Sequence, residues 1–366
     1  MSYITSIGTA NPPHQFRQHD IANFMMRAMR LEVDEARKLK TLFRATGIET
    51  RYSVLEDYGK ENCYEFFPDN ESIEPFPTTS QRMELFNEHA LNLSIHSINN
   101  CLEKTATKKT EITHLIVVSC TGLYAPGLDI DLVKALGLTT TINRTCINFM
   151  GCYAAFNGMK LANTFCENEK NARVLLVCTE LCSIHFQKKN TEDNFLANAL
   201  FADGSAALLI EAQPRKGVNL KPISFHCDLA SEGAQDMAWS VGDSGFEMKL
   251  STYVPEVIRS GIRQLAKSLL LKIDKDLSVV DYYAIHPGGK KILEVIEHEL
   301  NLSKEQNRFA YHVLKNFGNM SSPTVLFVLN EISKTLTGRD QHKNILSFAF
   351  GPGLTLESML LEIEMH

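Results

Sequence analysis

Several features that would assign a function class from composition alone are missing from this sequence. There is no excess of basic residues: 37 Lys and Arg stand against 43 Asp and Glu, for a formal net charge of −6 in 366 residues. A chain with this balance has no general attraction for nucleic acid or for an anionic membrane. We therefore expect no nucleic-acid partner, and any anionic substrate must be held by a local basic patch.

Export and membrane signals are also lacking. The first ten residues contain no charged segment followed by an apolar run, as a secretory signal would. No apolar stretch is long enough to cross a bilayer, and runs such as residues 115–118 are typical of buried strands. The sequence predicts a soluble, cytoplasmic protein with no membrane partner.

The nine cysteines follow neither of the common functional spacings. None of them forms a CxxC pair, and their number is odd. This pattern argues against a disulfide framework and against a zinc site. We predict no metal, and a reducing environment in which most cysteines are small core residues.

What the chain does contain is an alternation of helical and strand patterns without a low-complexity linker. An apolar stripe at helical spacing runs through residues 81–102 and predicts a long helix. After it, short apolar runs alternate with helical segments, which is typical of a layered α/β architecture.

The first half of the chain contains a distinctive order of elements. A buried strand is predicted over residues 114–120, and Cys152 follows 32 residues after Cys120. Cys152 opens an apolar helix predicted over residues 153–165, and a further strand covers residues 173–178.

The second half repeats this order. A strand is predicted over residues 281–286, and Asn319 follows 33 residues after His286. Asn319 opens an apolar helix predicted over residues 321–332, and a strand covers residues 344–350. A polar residue preceded by glycine thus stands at the same place in both halves.

The recurrence predicts two related α/β halves, residues 1–215 with the cysteine and residues 216–366 with the histidine and asparagine. The alternative is a chance match, since such alternation is common in α/β proteins. The nearly equal spacing in the two halves favours a duplication.

Cys152 is the first candidate for chemistry. Unpaired backbone N–H groups and the dipole at a helix start favour a thiolate, so the position predicts a pKa below that of a free thiol. The alternative is an inert core cysteine, which is the commoner role.

His286 and Asn319 have ordinary readings too. A histidine at the end of a strand can be a satisfied turn residue, and an asparagine before a helix is commonly an N-cap. If the halves are related, however, both point at the same interface as Cys152. A cysteine, a histidine and an amide would then form a nucleophile with two oxyanion donors.

Together these motifs resemble the type III polyketide synthases, the chalcone synthase-like family of the thiolase superfamily. The match covers essentially the whole chain, and its strength lies in the order of the set. The motifs are GTANPP (8–13), TGIETRY (46–52), CTGLYAPG (120–127), GC (151–152), ALFADG (199–204), HPGG (286–289), GNMSS (318–322) and FGPG (350–353).

The resemblance implies a thiolase-like fold in an αβαβα arrangement and an acyltransferase. It implies that Cys152 carries the acyl group, and that His286 and Asn319 polarise the thioester and stabilise the enolate formed when malonyl-CoA loses CO2. The implied substrates are an acyl-CoA starter and malonyl-CoA, without carrier protein or cofactor, and the products are phenols or pyrones. A homodimer is also implied.

The resemblance further assigns residues that line or approach the substrate cavity. Phe201 matches an aromatic gatekeeper. Lys40 and Arg44 lie near the family's basic residues for coenzyme A phosphates. The remaining candidates are Cys120 and the glycine-rich loop Gly351, Pro352 and Gly353, which allows close backbone approach.

Four positions depart from the plant enzymes of this family. Counted back from Pro255, Met248 stands where they have a second gatekeeper phenylalanine, and Trp239 where they have a glycine. Cys182 and His185 replace cavity-lining threonines. The departures leave starter and product open, and they indicate the bacterial branch of the family.

Other functions fit less well. A β-ketoacyl-carrier-protein synthase III shares the Cys, His and Asn chemistry but not the FGPG loop, the NMSS run or the length. A hydroxymethylglutaryl-CoA synthase needs a catalytic glutamate, for which no good candidate is found. A non-catalytic thiolase-fold binding protein would lack one of the three residues, and a cysteine hydrolase would not explain the two similar halves.

Overall fold

A computed structural model of the chain describes residues 1–233 and 236–366. Over these residues the chain forms thirteen strands: β1 (Tyr3–Ala10), β2 (His14–Arg17), β3 (Thr50–Ser53), β4 (His114–Ser119), β5 (Asn143–Asn148), β6 (Arg173–Leu181), β7 (Asp203–Glu211), β8 (Val218–Leu229), β9 (Met237–Gly242), β10 (Gly245–Leu250), β11 (Val280–Ile285), β12 (Asn344–Gly351) and β13 (Thr355–Met365).

The same residues form ten α-helices: α1 (Gln18–Ala28), α2 (Val33–Ala45), α3 (Thr79–Glu103), α4 (Leu128–Leu136), α5 (Ala154–Asn168), α6 (Glu192–Leu200), α7 (Val254–Leu271), α8 (Lys290–Leu300), α9 (Arg308–Phe317) and α10 (Thr324–Ser333). No helix in the described ranges combines the length and the apolar character that a bilayer crossing requires.

Nine strands form one sheet, in the order β5-β4-β6-β7-β1-β8-β13-β12-β11. The run β4-β6-β7-β1 and the run β11-β12-β13-β8 share one pattern: a parallel pair followed by two antiparallel pairs. The two runs meet at a single pair of residues, Ile4 and Leu220. The strand order therefore shows the internal symmetry that the sequence pattern predicts, while a boundary at residue 215 stays a prediction.

Three hydrophobic clusters hold together five layers of helices and strands. Helices α5 and α10 share a central cluster with residues from both halves of the sheet. Alternate strand residues face the opposite way, as the pleat requires: Ile116 and Val118 face the centre, whereas Leu115 and Val117 pack with α3 and its neighbours. A third cluster packs α7, α8 and α9 on the outer side of β11, β12 and β13. This is the predicted αβαβα arrangement.

The strands and helices predicted around the candidate residues are confirmed, with one difference at the two central helices. Helix α5 begins at Ala154 and α10 at Thr324, so Cys152 and Asn319 lie in the turns before them.

Gly151 and Gly318 make these turns possible. Their φ angles are +80° and +71°, in a region that residues with a side chain rarely adopt. A Cβ on Gly151 would lie 2.6 Å from a Pro352 side-chain atom, and one on Gly318 would lie 2.9 Å from the Arg51 stem. The equivalent turns of the two halves therefore both depend on glycine.

A separate hairpin of β9 and β10 covers the ends of the central strands. Its register pairs Trp239 with Met248 and Met237 with Leu250. All four of these residues border the cavity described below, so the hairpin supplies one of its walls.

Candidate active site

Cys152, His286 and Asn319 line one cavity, which we call the triad cavity. They reach it from the turn before α5, the end of β11 and the turn before α10. All three are buried, with exposed fractions of 6%, 1% and 2%. The Cys152 Sγ lies 3.9 Å from Asn319 Oδ1. The structure thus brings the three predicted residues together from both halves.

Asn319 is held on both its backbone and its side chain. Its N–H donates to Leu200 O, and its carbonyl oxygen accepts from the Ala202 N–H, each at 2.9 Å. Its Oδ1 accepts from the Ser321 N–H at 2.9 Å, whereas Nδ2 donates only at 3.4 Å, to Gly288 O. The amide is therefore fixed in place with a weakly engaged N–H group, as an oxyanion donor requires.

The His286 ring is buried and has no hydrogen-bond partner at Nδ1 or Nε2 among the described residues. Its backbone N–H donates to Phe348 O at 2.8 Å, which fixes the end of β11. Burial lowers the pKa of His286 to about 3. A neutral imidazole has one donor and one acceptor nitrogen, so it can both take up a proton and donate to an oxygen.

Cys152 differs from the expectation of a lowered pKa. Burial raises the pKa of its thiol to about 12, although a hydrogen bond with Ser321 opposes this, and the nearby Glu180 raises it further. Cys152 was expected to open the helix, but α5 begins at Ala154, and the burial of the thiol outweighs any effect of the helix start. In this geometry the resting pair is a neutral thiol and a neutral imidazole.

Most of the predicted cavity residues do border the triad cavity. Those that do are Cys120, Cys182, Phe201, Trp239, Met248 and Pro352. Sequence reasoning missed other lining residues, which are Thr121, Met237, Leu250, Ile292, Ser321 and Phe350. Thr121, Ser321 and Phe350 lie within the quoted motifs but were not assigned to the cavity. The other three are apolar, and nothing in their local sequence distinguishes them from core residues.

The triad cavity contains about 20 Å³ of free volume. A second cavity of about 40 Å³, the side cavity, shares Cys182, Phe201, Trp239 and Met248 with it. A volume of this size holds roughly one or two water molecules. Side chains of the shared wall must therefore move when an acyl chain enters, and methionine is well suited to that because it is flexible.

His185 borders the side cavity rather than the triad cavity. Its Nε2 donates to Thr121 O at 2.7 Å, and its Nδ1 accepts from the Phe246 N–H at 3.0 Å. Its ring stacks on Phe246 with centroids 4.3 Å apart. Burial lowers the pKa of His185 to about 3. Both ring nitrogens are thus used by the backbone, and His185 serves as a fixed wall.

Glu180 is a buried carboxylate that the sequence did not single out. It accepts hydrogen bonds from the Cys120 N–H at 2.9 Å, Thr121 Oγ1 at 2.8 Å and Ser322 Oγ at 2.5 Å. Burial raises its pKa, and these donors oppose the rise. Because Ser322 belongs to the second half, Glu180 joins the two halves directly beneath the triad.

The glycine-rich loop divides between two roles. A Cβ on Gly351 would lie 2.4 Å from the Tyr153 ring, so this glycine allows the loop to approach the turn that carries Cys152. Pro352 borders the triad cavity. Gly353 borders neither the triad cavity nor the side cavity and has a positive φ of +81°.

Lys40 and Arg44 lie in a surface groove with Arg17 and His19. This groove shares no lining residue with the triad cavity. A different recess of about 210 Å³, the outer recess, meets the triad cavity at Leu250, Gly288 and Ile292, and Lys290 and Lys291 line it. A role for Lys40 and Arg44 in phosphate binding stays a prediction.

Comparison with known proteins agrees with this geometry. Residues 1–214 match the family model of chalcone and stilbene synthases, N-terminal domain, and residues 226–364 match the corresponding C-terminal domain model. The chain belongs to the chalcone and stilbene synthase family. It is a type III polyketide synthase with a thiolase-like fold, which confirms the resemblance seen in the sequence motifs.

Individual relatives are similar over nearly the whole chain. The α-pyrone synthesis polyketide synthase-like Pks18 of Mycobacterium tuberculosis is 31% identical over 99% of this chain and 91% of its own. Probable polyketide synthase 1 of Dictyostelium discoideum is 30% identical over 99% of this chain, which spans 11% of that much longer protein.

Two crystal structures have the same fold. PKS-I from the brown alga Ectocarpus siliculosus superposes with a TM-score of 0.91 at 28% identity, covering 99% of this chain and 98% of that one. The C-terminal type III domain of Steely1, a type I/III hybrid from Dictyostelium, gives 0.90 at 28% identity, with 99% of each chain covered. As a type III synthase, this chain is an acyl-transferring condensing enzyme.

Proposed function

We propose that this synthase loads an acyl-CoA starter on Cys152 and extends it with malonyl-CoA. The observation that carries the proposal is the convergence of Cys152, His286 and Asn319, from both halves, on one buried cavity. No single residue of the set would be specific, but a nucleophile, a neutral imidazole and a fixed amide together perform acyl transfer.

In loading, the Cys152 sulfur attacks the thioester carbonyl while His286 takes up the thiol proton. The tetrahedral oxygen accepts hydrogen bonds from the Asn319 amide and from other donors that line the triad cavity. The bond between the carbonyl carbon and the coenzyme A sulfur then breaks, and the leaving thiolate receives the proton from His286. A neutral, buried imidazole suits this exchange because it begins the step able to accept a proton.

In extension, the bond between the malonyl methylene carbon and its carboxylate breaks, and CO2 leaves. The electron pair forms an enolate whose oxygen is stabilised by Asn319 Nδ2 and the His286 ring. The enolate carbon attacks the acyl carbonyl on Cys152, and the Cys152 sulfur departs. When the substrate fills this small cavity and displaces water, both donors are strengthened, because water no longer competes for the enolate oxygen.

We propose the outer recess as the route for the coenzyme A arm, because it opens on the triad cavity beside Gly288. Lys290 and Lys291 at this recess are candidates for contacts with the phosphates. They compete with the earlier candidates Lys40 and Arg44, which lie in the separate groove. Their weak pairing with Glu294, at 3.8 and 3.9 Å, leaves them able to bind an anion.

The remaining proposals concern the setting of the reaction. We expect a cytoplasmic enzyme that needs neither a carrier protein nor a metal or organic cofactor. We also expect a homodimer, because β5 lies at the edge of the sheet and pairs with β4 alone among the described strands. An open edge strand of this kind is a ready pairing surface for a second copy.

Incubation with malonyl-CoA and a panel of acyl-CoA starters, followed by mass spectrometry, tests the proposal. Products whose mass grows by malonyl-derived units, without a carrier protein, support it. A pyrone product would match the reaction class in the name of the mycobacterial relative. Turnover only with malonyl groups on a carrier protein would instead favour a β-ketoacyl-carrier-protein synthase III.

A further inference from the structure

Arg51, in β3, is a buried arginine outside the triad that contacts the wall of the triad cavity. Its exposed fraction is 3%. Its Nη1 donates to the carbonyl oxygens of Asn198, at 2.9 Å, and Phe201, at 2.6 Å. Asn198 lies in the last turn of α6, and Phe201 is the aromatic residue that follows this helix. One guanidinium group therefore fixes the path of the chain where α6 ends.

The same arginine contacts the segment that carries Asn319. The stem of Arg51 packs against Gly318, where a Cβ would lie 2.9 Å from Arg51 Cδ. The two contacted segments form one unit, which we call the junction: Asn319 pairs with Leu200 and Ala202 through two backbone hydrogen bonds of 2.9 Å. Arg51 therefore touches both sides of the junction, one from each half of the chain.

Neighbouring residues of β3 strengthen this connection. Thr50 Oγ1 donates to Asn316 O at 2.8 Å, and the Tyr52 ring stacks on Phe317 with centroids 5.9 Å apart. On the other side of the junction, the Val54 N–H donates to Asp203 Oδ2 at 2.8 Å. The strand that carries Arg51 is thus anchored to both segments, which gives its guanidinium a fixed origin.

Stability alone does not account for an arginine at this position. Arg51 Nε and Nη2 have no hydrogen-bond partner among the described residues. Desolvation by burial lowers the pKa of Arg51 to about 10. The carboxyl group of Asp203 opposes this fall in pKa, but it forms no close salt bridge with Arg51 among the described residues. A buried cation without a close ion pair contributes little to folding stability.

We propose that Arg51 is a positioning residue for the oxyanion site, which it serves by holding the junction so that the Asn319 amide meets the thioester oxygen. The proposal rests on the function proposed above. A displacement of about 1 Å in a catalytic group can cost roughly 100-fold in rate. The junction transmits such a displacement directly, because Asn319 is itself one of its members.

The test replaces Arg51 with lysine, whose nitrogen ends one bond short of Nη1 and loses the forked geometry. Arg82 provides a matched control. It is also buried, has its pKa lowered to about 10 by burial, and donates to the backbone carbonyls of Pro77 and Ile184. It lies outside the triad cavity and the junction. Arg51→Met, which keeps the stem and removes the donors, serves if the lysine variant does not fold.

Two steps are measured on each folded variant: decarboxylation of malonyl-CoA, and single-turnover acylation of Cys152 by intact-mass spectrometry. Arg51→Lys should slow decarboxylation about 10- to 100-fold and acylation by a clearly smaller factor, because acylation also depends on Cys152 and His286, which lie outside the junction. Arg82→Lys should show no such split between the two steps. Adding Arg51→Lys to Asn319→Ala should cause no further loss of decarboxylation, because the effect runs through Asn319.

Equal losses in both steps, the same split in Arg82→Lys, or full additivity with Asn319→Ala would each overturn the positioning role. These results differ from a failure of the proposed function. In that case the parent enzyme itself would not decarboxylate malonyl-CoA, and the proposal for Arg51 would fall with it.

Discussion

The indole Nε1 of Trp239 donates a hydrogen bond of 2.7 Å to the carbonyl oxygen of Cys120. One residue further along, the carbonyl of Thr121 accepts from His185. The Trp239 ring also meets the rings of His185 and Phe246 edge to face, with centroids 5.8 and 5.9 Å apart. The β9–β10 hairpin is thus pinned over the end of β4, and the indole stands as a fixed wall between the triad cavity and the side cavity.

Trp239→Gly should therefore enlarge the space available to the growing chain. We expect a folded protein that accepts bulkier starters or adds further malonyl-derived units, since the two cavities would merge. The measurement is the product mass spectrum from one fixed starter, beside a starter panel and thermal melting. Loss of the indole hydrogen bond alone should cost about 1 kcal/mol of stability.

Trp239→Phe is the matched control, because it keeps an aromatic wall while it removes the N–H donor and only part of the ring volume. Its product range should stay near that of the parent. If the glycine variant melts normally yet shows unchanged products and starters, Trp239 does not shape the cavity. If it instead loses the 3–5 kcal/mol typical of a deleted core aromatic, roughly, the residue acts as core.

Asn319→Ala should separate the two chemical steps. Loss of one oxyanion donor typically costs about 100- to 1000-fold in rate, and we expect that loss in malonyl-CoA decarboxylation. Acylation of Cys152 should remain measurable, because His286 still accepts the thiol proton. His286→Ala should impair both steps. Parent-like decarboxylation by Asn319→Ala would show that the amide is not an oxyanion donor.

The pH dependence of Cys152 alkylation should reveal whether it shares its proton with His286. Burial raises the thiol pKa to about 12 and lowers the imidazole pKa to about 3, so the pair holds one proton throughout the range between them. With values this far apart the proton stays on the sulfur, and the thiolate forms by loss of that proton to solvent, so the iodoacetamide rate should rise about tenfold for each pH unit from about pH 6 to 9.

In His286→Ala the thiol must likewise release its proton to solvent, so the profile of the variant should be as steep as that of the parent. Because the pKa of the thiol is raised, the thiolate fraction in this variant should rise about tenfold for each pH unit across the same range. Exposed Cys63 is an internal control, because its labelling in the same sample shows that the iodoacetamide is active. A parent profile that is flat from about pH 6 to 9, beside a steep profile for His286→Ala, would show instead that the two side chains share the proton.

The phosphate contacts can be assigned by comparing thioesters with and without phosphates. The double change Lys290→Gln and Lys291→Gln should raise KM for the coenzyme A substrate about 3- to 30-fold, as expected for one or two exposed ion pairs. KM for the N-acetylcysteamine thioester should not change, since that substrate carries no phosphate. Added salt should reduce the difference.

Lys40→Gln with Arg44→Gln is the matched pair of neutralisations on the neighbouring helix. If that pair raises KM for coenzyme A thioesters and the Lys290 and Lys291 changes do not, the arm follows the groove and not the outer recess. The assignment of Lys40 and Arg44 to the coenzyme A phosphates, which the family resemblance implies, would then hold.

The sequence predicts the layered architecture because apolar strand runs and apolar helices leave a strong local pattern. The equivalence of Cys152 and Asn319 is predictable for the same reason: each follows a glycine at the same place in a repeated order of elements. The structure adds that both glycines have positive φ angles, a constraint that the spacing alone only suggests.

Other parts of the site leave no such pattern. The walls come from residues such as Met237, Leu250 and Phe350, whose apolar character is equally compatible with a core. Glu180 reads as an ordinary polar residue at the end of a strand, and its role depends on Ser322, which lies 142 residues away. The lowered pKa expected for Cys152 is wrong because burial of the thiol, which depends on the packing of both halves and leaves no local sequence signal, raises the pKa instead.

The bond between Trp239 and Cys120 uses a backbone oxygen, so the side chain at position 120 takes no part in holding the indole. Residues 120 and 239 can therefore be changed independently to alter the triad cavity. Cys120→Ser or Cys120→Ala changes the lining of the triad cavity while the hairpin stays docked. A library that varies residue 120 and keeps Trp239 should contain a high proportion of folded enzymes. A library that varies residue 239 enlarges the cavity but also lowers the stability of the fold.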